Sequence, residues 1–314
     1  MFRFSGLVHP FRGLVRRAFS TEAPSRLVGL KTSENGQVAV ITMQRPEAKN
    51  AISKAFLYDL LSAVQEIRQS QTVRVALLRS SVPGVFCAGA DLKERAKMTE
   101  EDVRVFVSSL REGFSAVASL PQPTIACIHG AALGGGLEVA LACDFRCAAE
   151  SATVGLPEVN LAIIPGAGGT QRLPRVIGVQ KAKQWILMGK RVGAKEAQQD
   201  GVVDFVNVPE DPLLKMIGEV KVEEAFPEFF EGVESGTPEG QATGAGLRLA
   251  SVLLEKGPVA LRAAKRAITE GIQVDLQSAM DVERSCYEEV LQTSDRVEAL
   301  MAFKEKRKAV FQGK

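Results

Sequence analysis

Between residues 38 and 149 the chain alternates short β-prone runs with helical stretches, and glycines mark several of the joints. Runs 38–43, 73–78, 124–128 and 145–149 are rich in Val, Ile and small apolar residues and read as strands. Arg45-Pro46 ends the first run. Asn50 is predicted to cap a helix starting near Ala51, because Ile52, Phe56, Leu60, Val64 and Ile67 then recur at helical spacing. A glycine-marked loop covers 83–91, a helix is predicted over 101–119, and Gly134-Gly135-Gly136 opens another that runs to Cys143. Strands alternating with helices argue for an α/β fold with parallel pairing. Beyond about residue 175 the pattern is mainly helical, with segments at 181–188, 195–199, 258–270 and 276–292.

Composition narrows the class. The 314 residues are 46% hydrophobic and 24% charged, a globular balance, and no apolar run reaches the roughly 20 residues of a membrane span, so no membrane insertion is expected. The net charge of +2 leaves no basic footprint for nucleic acid. Five scattered Cys suit a reduced compartment. The first 21 residues lack Asp and Glu and carry Arg3, Arg12, Arg16 and Arg17 among apolar residues, the pattern of a mitochondrial transit peptide and hence of a matrix protein. We therefore divide the chain into a targeting segment and linker (1–26), an α/β core (27–218), a Glu-rich insertion with Pro227 and Pro238 (219–246), expected to be partly mobile, and a helical C-terminal region (247–314).

Few residues could carry nucleophilic or metal chemistry. Apart from His9 in the targeting segment, His129 is the one histidine, and no Gly-x-Ser-x-Gly elbow accompanies it. Cys143 and Cys147 have no second Cys or His pair, so no metal site is expected and both read as core. The glycine runs match neither a P-loop nor a dinucleotide fingerprint. Carboxylates and backbone amides remain. Glu138 lies in the first turn of an apolar helix, where burial would raise its pKa; a Glu placed there for the helix dipole is the plainer alternative. Glu158 stands before the apolar run 161–165, and its plainer reading is an exposed loop. Gly135 opens a helix with an unhindered N–H, and Ala88-Gly89-Ala90 offers a second amide after a strand. Two amides and two carboxylates suit proton movements beside a thioester carbonyl.

At these residues the sequence resembles the enoyl-CoA hydratase/isomerase (crotonase) family. The likeness is carried by Arg45-Pro46-Glu47-Ala48-Lys49-Asn50-Ala51, Phe86-Cys87-Ala88-Gly89-Ala90-Asp91-Leu92-Lys93, Ala132-Leu133-Gly134-Gly135-Gly136-Leu137-Glu138, Gly155-Leu156-Pro157-Glu158 and 164–173. It implies a crotonase (ClpP/crotonase-like) spiral of ββα turns with a helical C-terminal region used to form trimers, which can pair into hexamers. It implies an oxyanion hole from the amides of Ala90 and Gly135. Glu138 would activate water and Glu158 would deliver a proton to Cα. Lys49, Ala51, Ala88, Asp91, Leu92, Lys93, Gly134 and Pro157 would line the acyl-CoA site, with Phe303 and Lys306 reaching the CoA of a neighbouring subunit. CoA is part of the substrate, and no separate cofactor is implied. Both glutamates together favour a hydratase of fatty-acid or branched-chain amino-acid breakdown, and the stretch 83–95 is similar to the family's mitochondrial methylglutaconyl-CoA hydratase branch. Some members of that branch bind AU-rich RNA through a lysine-rich first helix. Here 51–70 holds only Lys54 and Arg68 as basic residues, which argues against that role.

Overall fold

The computed structural model describes residues 26–206 and 220–314. The transit-peptide segment through residue 25, and the start of the Glu-rich stretch at residue 219, lie outside the described residues. Two sheets share the strands. The larger runs β1 (Val28–Thr32), β2 (Val38–Met43), β3 (Val75–Ser80), β5 (Thr124–Ile128), β7 (Phe145–Ala148), β10 (Phe205–Val206). All its pairs are parallel except β1 with β2. The smaller runs β4 (Val85–Cys87), β6 (Ala131–Leu133), β8 (Thr153–Gly155), β9 (Arg191–Gly193), parallel up to the antiparallel last pair. Successive pairs β3–β4, β5–β6 and β7–β8 each place one strand in each sheet. Helices α1 (Lys54–Gln69), α2 (Leu92–Arg95), α3 (Glu100–Ala118) and α4 (Gly135–Ala140) fall between the turns. This stepping of ββα units is the crotonase spiral, as the sequence leads one to expect.

Both faces of the larger sheet are covered, which explains why its strands read as unbroken apolar runs. In β2, Ala39, Ile41 and Met43 face one side, where Phe56, Leu60, Val64 and Ile67 of α1 and Phe106, Leu110, Phe114 and Val117 of α3 pack. Val38 and Val40 face the other, with Val75, Leu77, Ile125 and Cys127.

That second face corrects the expectation for 219–246. Its cover is α8 (Val222–Ala225), the short 3-10 turn Pro227–Phe229, and α9 (Pro238–Leu254). Val222, Phe226, Phe229, Ala242, Ala245, Leu247 and Leu249 are buried there. The expected boundary at 246/247 falls inside α9. Periodicity was masked because the inward face is built from small residues: Gly240, Ala242, Thr243, Gly244, Ala245 and Gly246 are all buried. They let the helix lie close to the sheet, so that a Cβ at Gly246 would stand 2.5 Å from Cys127 Sγ. His129 is part of this seam. It is buried, its Nε2 lies 2.9 Å from Val82 O and 3.3 Å from Glu239 Oε1 at the start of α9, and burial pushes its pKa down.

Asn50 is not the cap of α1. Ser53 is, accepting from the Phe56 amide. Asn50 adopts φ 54° and turns its side chain inward, donating to Ser80 Oγ (2.8 Å) and Phe86 O (3.0 Å) and accepting from the Arg45 amide (2.8 Å). It ties three segments beside the site.

After the spiral come α5 (Gly169–Ile177), α6 (Val179–Leu187) and α7 (Ala194–Gln199), then α10 (Pro258–Gly271), α11 (Leu276–Leu291) and α12 (Ser294–Glu305). Lys265 anchors α10 to the spiral by donating to Asp144 Oδ2 (2.6 Å) and Gln122 O (3.0 Å).

Candidate active site

The site lies where two tight connections meet. One follows β4 and the other joins β6 to α4. Gly89 (φ 98°) and Gly134 (φ 53°) hold backbone conformations that side chains resist. A Cβ at Gly89 would also come within 2.9 Å of Leu133 O, so the two connections touch through glycine. The Gly135 N lies 3.4 Å from that same Cβ position, and the Ala90 N lies 3.6 Å from the Cβ position of Gly135. The two amides are therefore neighbours.

Their orientation follows from local pairing. Ile52 bridges Ala90 in parallel, donating its N–H to Gly89 O (2.8 Å) and accepting from Asp91 N (3.0 Å). That pattern turns the Ala90 amide away from Ile52. Gly135 is the first residue of α4, where amides have no intrahelical acceptor. Among the described residues neither amide donates a hydrogen bond. Two adjacent unsatisfied donors can hold a developing oxyanion.

Glu138 is 3% exposed, one turn into α4. Its Oε1 accepts from the Ala167 and Gly169 amides, both at 2.8 Å, and no described residue donates to Oε2. Burial raises its pKa, opposed by those amides and by the charges of Arg172 and Arg111. Glu158 opens the 3-10 segment Glu158–Leu161. Its Oε1 would lie 3.1 Å from a Cβ on Gly134, so glycine at 134 also clears room for this carboxylate. Its Oε2 is buried without a hydrogen-bond partner. Burial pushes Glu158 up to about 7, with the nearby Glu138 charge adding to the effect. Two carboxylates beside two free amides thus have unlike environments: one is held by donors, the other is bare. Such a split separates a base from an acid.

The remaining expected residues divide. Lys49, Ala88, Leu92 and Lys93 are exposed around the amide pair, and Ala51 and Pro157 are half-buried. Gly134 is buried at the junction itself. Asp91 is committed elsewhere: Oδ1 accepts from Lys93 N and Glu94 N as the cap of α2, and Oδ2 pairs with Arg45 Nη1 at 2.8 Å. It shapes the wall of the site and has no free carboxylate oxygen to offer. Phe303 lies on α12 with 87% of its surface exposed, and Lys306 caps that helix in the left-handed region. Within one chain the Phe303 ring faces solvent. The reading from residues passed over the donors that hold Glu138. The run Gly166-Ala167-Gly168-Gly169 was visible as a glycine cluster, but the direction of its amides was not.

Among the described residues no group of three or more His, Cys, Asp or Glu could hold a metal ion, and no helix is long and apolar enough to cross a membrane.

A spiral of ββα turns, with adjacent free amides beside one buried and one half-buried glutamate, defines an enzyme of the crotonase class. The chain belongs to the enoyl-CoA hydratase/isomerase family, whose profile matches residues 33–223 and 233–314. Curated relatives include a probable mitochondrial enoyl-CoA hydratase 2 from Arabidopsis thaliana, 44% identical over 92% of this chain and 85% of the relative. Mitochondrial methylglutaconyl-CoA hydratase from Mus musculus is 43% identical over 95% of this chain and 88% of the relative. Among solved structures, an enoyl-CoA hydratase from Bacillus anthracis superposes with TM-score 0.79 at 43% identity, covering 92% of this chain and all of that one.

Proposed function

We propose that the enzyme is a hydro-lyase that adds water reversibly to a 2-trans-enoyl-CoA, giving a 3-hydroxyacyl-CoA. One observation carries this reading: Glu138 and Glu158 both stand at the free amides of Ala90 and Gly135, the first held by two amide donors and the second with an unpartnered oxygen. The thioester oxygen would accept from the two amides. Glu138 would take a proton from water as its oxygen bonds to Cβ, and the C=C electron pair would move towards the thioester. Glu158 would then give its proton to Cα, so that H and OH enter from one face. The bare Oε2 of Glu158 and its raised pKa suit a proton donor near neutrality. Exposed Lys49 and Lys93 would meet the CoA phosphates, and Phe303 and Lys306 would meet the CoA of a neighbouring copy in a trimer or paired trimers. No cofactor beyond the CoA of the substrate enters these steps.

A mitochondrial site, in the matrix, accords with the Arg-rich acid-free start and with the mitochondrial names of the relatives. The pathway would be fatty-acid or branched-chain amino-acid breakdown. The similarity to methylglutaconyl-CoA hydratases supports a second substrate reading, 3-methylglutaconyl-CoA of leucine degradation. RNA binding through α1 has little support: Lys54 and Arg68 sit at its two ends and do not form a patch.

The test is turnover of crotonyl-CoA and of 3-methylglutaconyl-CoA, followed by loss of the conjugated thioester absorbance. Glu138→Gln and Glu158→Gln are each expected to lower kcat by about 10²–10⁴. The ratio of kcat/KM between the substrates selects the pathway. Absence of turnover with both, in folded wild type, would reject the hydratase reading.

A further inference from the structure

Glu138 is held by a loop, and the loop is held from behind. Arg111 on α3 donates from Nε to Gly166 O at 2.7 Å. The N–H of that same peptide unit, on Ala167, donates to Glu138 Oε1 at 2.8 Å. A donor on a peptide carbonyl polarises the unit and strengthens its N–H as a donor in turn. Val107, one helical turn before Arg111, packs under the same peptide, where a Cβ on Gly166 would lie 3.2 Å from its Cγ1. Two residues on one face of α3 therefore set the loop. Besides its bond to Gly166 O, the Arg111 charge acts on Glu138 directly and favours its carboxylate form. Arg172 grips the next peptide, donating from Nη1 to Ala167 O at 3.0 Å. The amide of that unit belongs to Gly168, which does not donate to Glu138.

We propose that Arg111 is a positioning residue, which fixes the Glu138 carboxylate through the Gly166–Ala167 peptide. The charged groups facing Glu138 are Arg111 from α3, Arg172 from α5 and Glu158 from the 3-10 segment. Removing Arg111 withdraws one of the two positive charges and loosens one of the two amides. The carboxylate form is then less favoured, and protonation sets in at higher pH.

The inference rests on the hydratase reading for its kinetic arm, so one arm is independent of turnover. Arg111 is exposed, and Arg111→Gln is expected to fold with an unchanged Tm. In that variant kcat for crotonyl-CoA hydration falls about three- to tenfold on the acid side, KM stays level, and the acid limb of the kcat profile moves to higher pH. Arg111→Lys, which keeps the charge, returns the limb towards wild type. Infrared titration of the Glu138 carboxylate band, assigned by its loss in Glu138→Gln, moves the same way without any substrate. A uniform loss of kcat at every pH with the limb unmoved would overturn the proposal, as would a rise in KM alone or an infrared titration identical to wild type. If wild type shows no hydration, the functional reading falls, and the infrared result alone still decides the role of Arg111.

Discussion

Glu138 and Glu158 carry the same side chain and differ only in what surrounds it. Glu138 has two backbone donors and two guanidinium charges, whereas Glu158 has a buried, unpartnered oxygen. Burial puts the pKa of Glu158 at about 7, above its ordinary value, so its proton is present below that pH and lost above it. In the proposed mechanism hydration needs that proton. Its kcat/KM is therefore expected to fall as pH rises through about 7. The overall reaction takes up no net proton, so kcat/KM for dehydration should fall in parallel. Initial rates across pH check this, and a hydration kcat/KM that stays level through pH of about 7 would refute the assignment. Asn50 shows the limit of residue-level reading. An Asn before an apolar periodic run looks like a cap, yet its side chain is spent on Ser80, Phe86 and Arg45. Asn50→Ala leaves those groups unsatisfied and is expected to cost about 3 kcal/mol in chemical denaturation.

Among the elements, the centre of the larger sheet could be read from the chain and the smaller sheet could not. Apolar runs gave β2, β3, β5 and β7, whereas β4, β6, β8 and β9 have three residues each and are too short to show, and α1 and α3 showed helical periodicity because large side chains fill their inner faces. Helix α9 did not, because it is buried all round over 242–247 and, before Leu247, through Gly, Ala and Thr alone. Small residues carry little hydrophobic signal, but they let a helix sit close to a sheet, and that need appears only when both are placed together. Gly246→Val should therefore overpack the seam against Cys127 and Leu77 and destabilise the protein by about 1–3 kcal/mol, read by thermal or urea unfolding. A neutral outcome would mean that α9 can move outward at little cost.

At the scale of the whole molecule, the C-terminal helices leave a wide apolar surface. Ile268, Ile272, Leu276, Leu300 and Phe303 are each at least 60% exposed in the isolated chain. Exposed apolar side chains in this number on the C-terminal helices suit an interface between copies. Sedimentation should show a trimer or its multiple, and paired substitution of Ile272 and Leu276 by Glu should shift the protein towards monomer. Activity should fall with it if a neighbouring copy completes the CoA site. A wild-type monomer at micromolar concentration would refute this.

The sequence by itself determined the family and four strands of the larger sheet, and it pointed to two glutamates and two amides. These are local: motifs, apolar periods and glycines at tight connections survive in the linear chain. Only the tertiary structure decided how each carboxylate is treated. The donors to Glu138 lie about thirty residues further along, Arg111 lies on a different helix, and Asp91 is withdrawn by Arg45 across the site wall. The electrostatics of a buried group depend on which amides and charges folding brings within reach, and that proximity is not encoded at any single position.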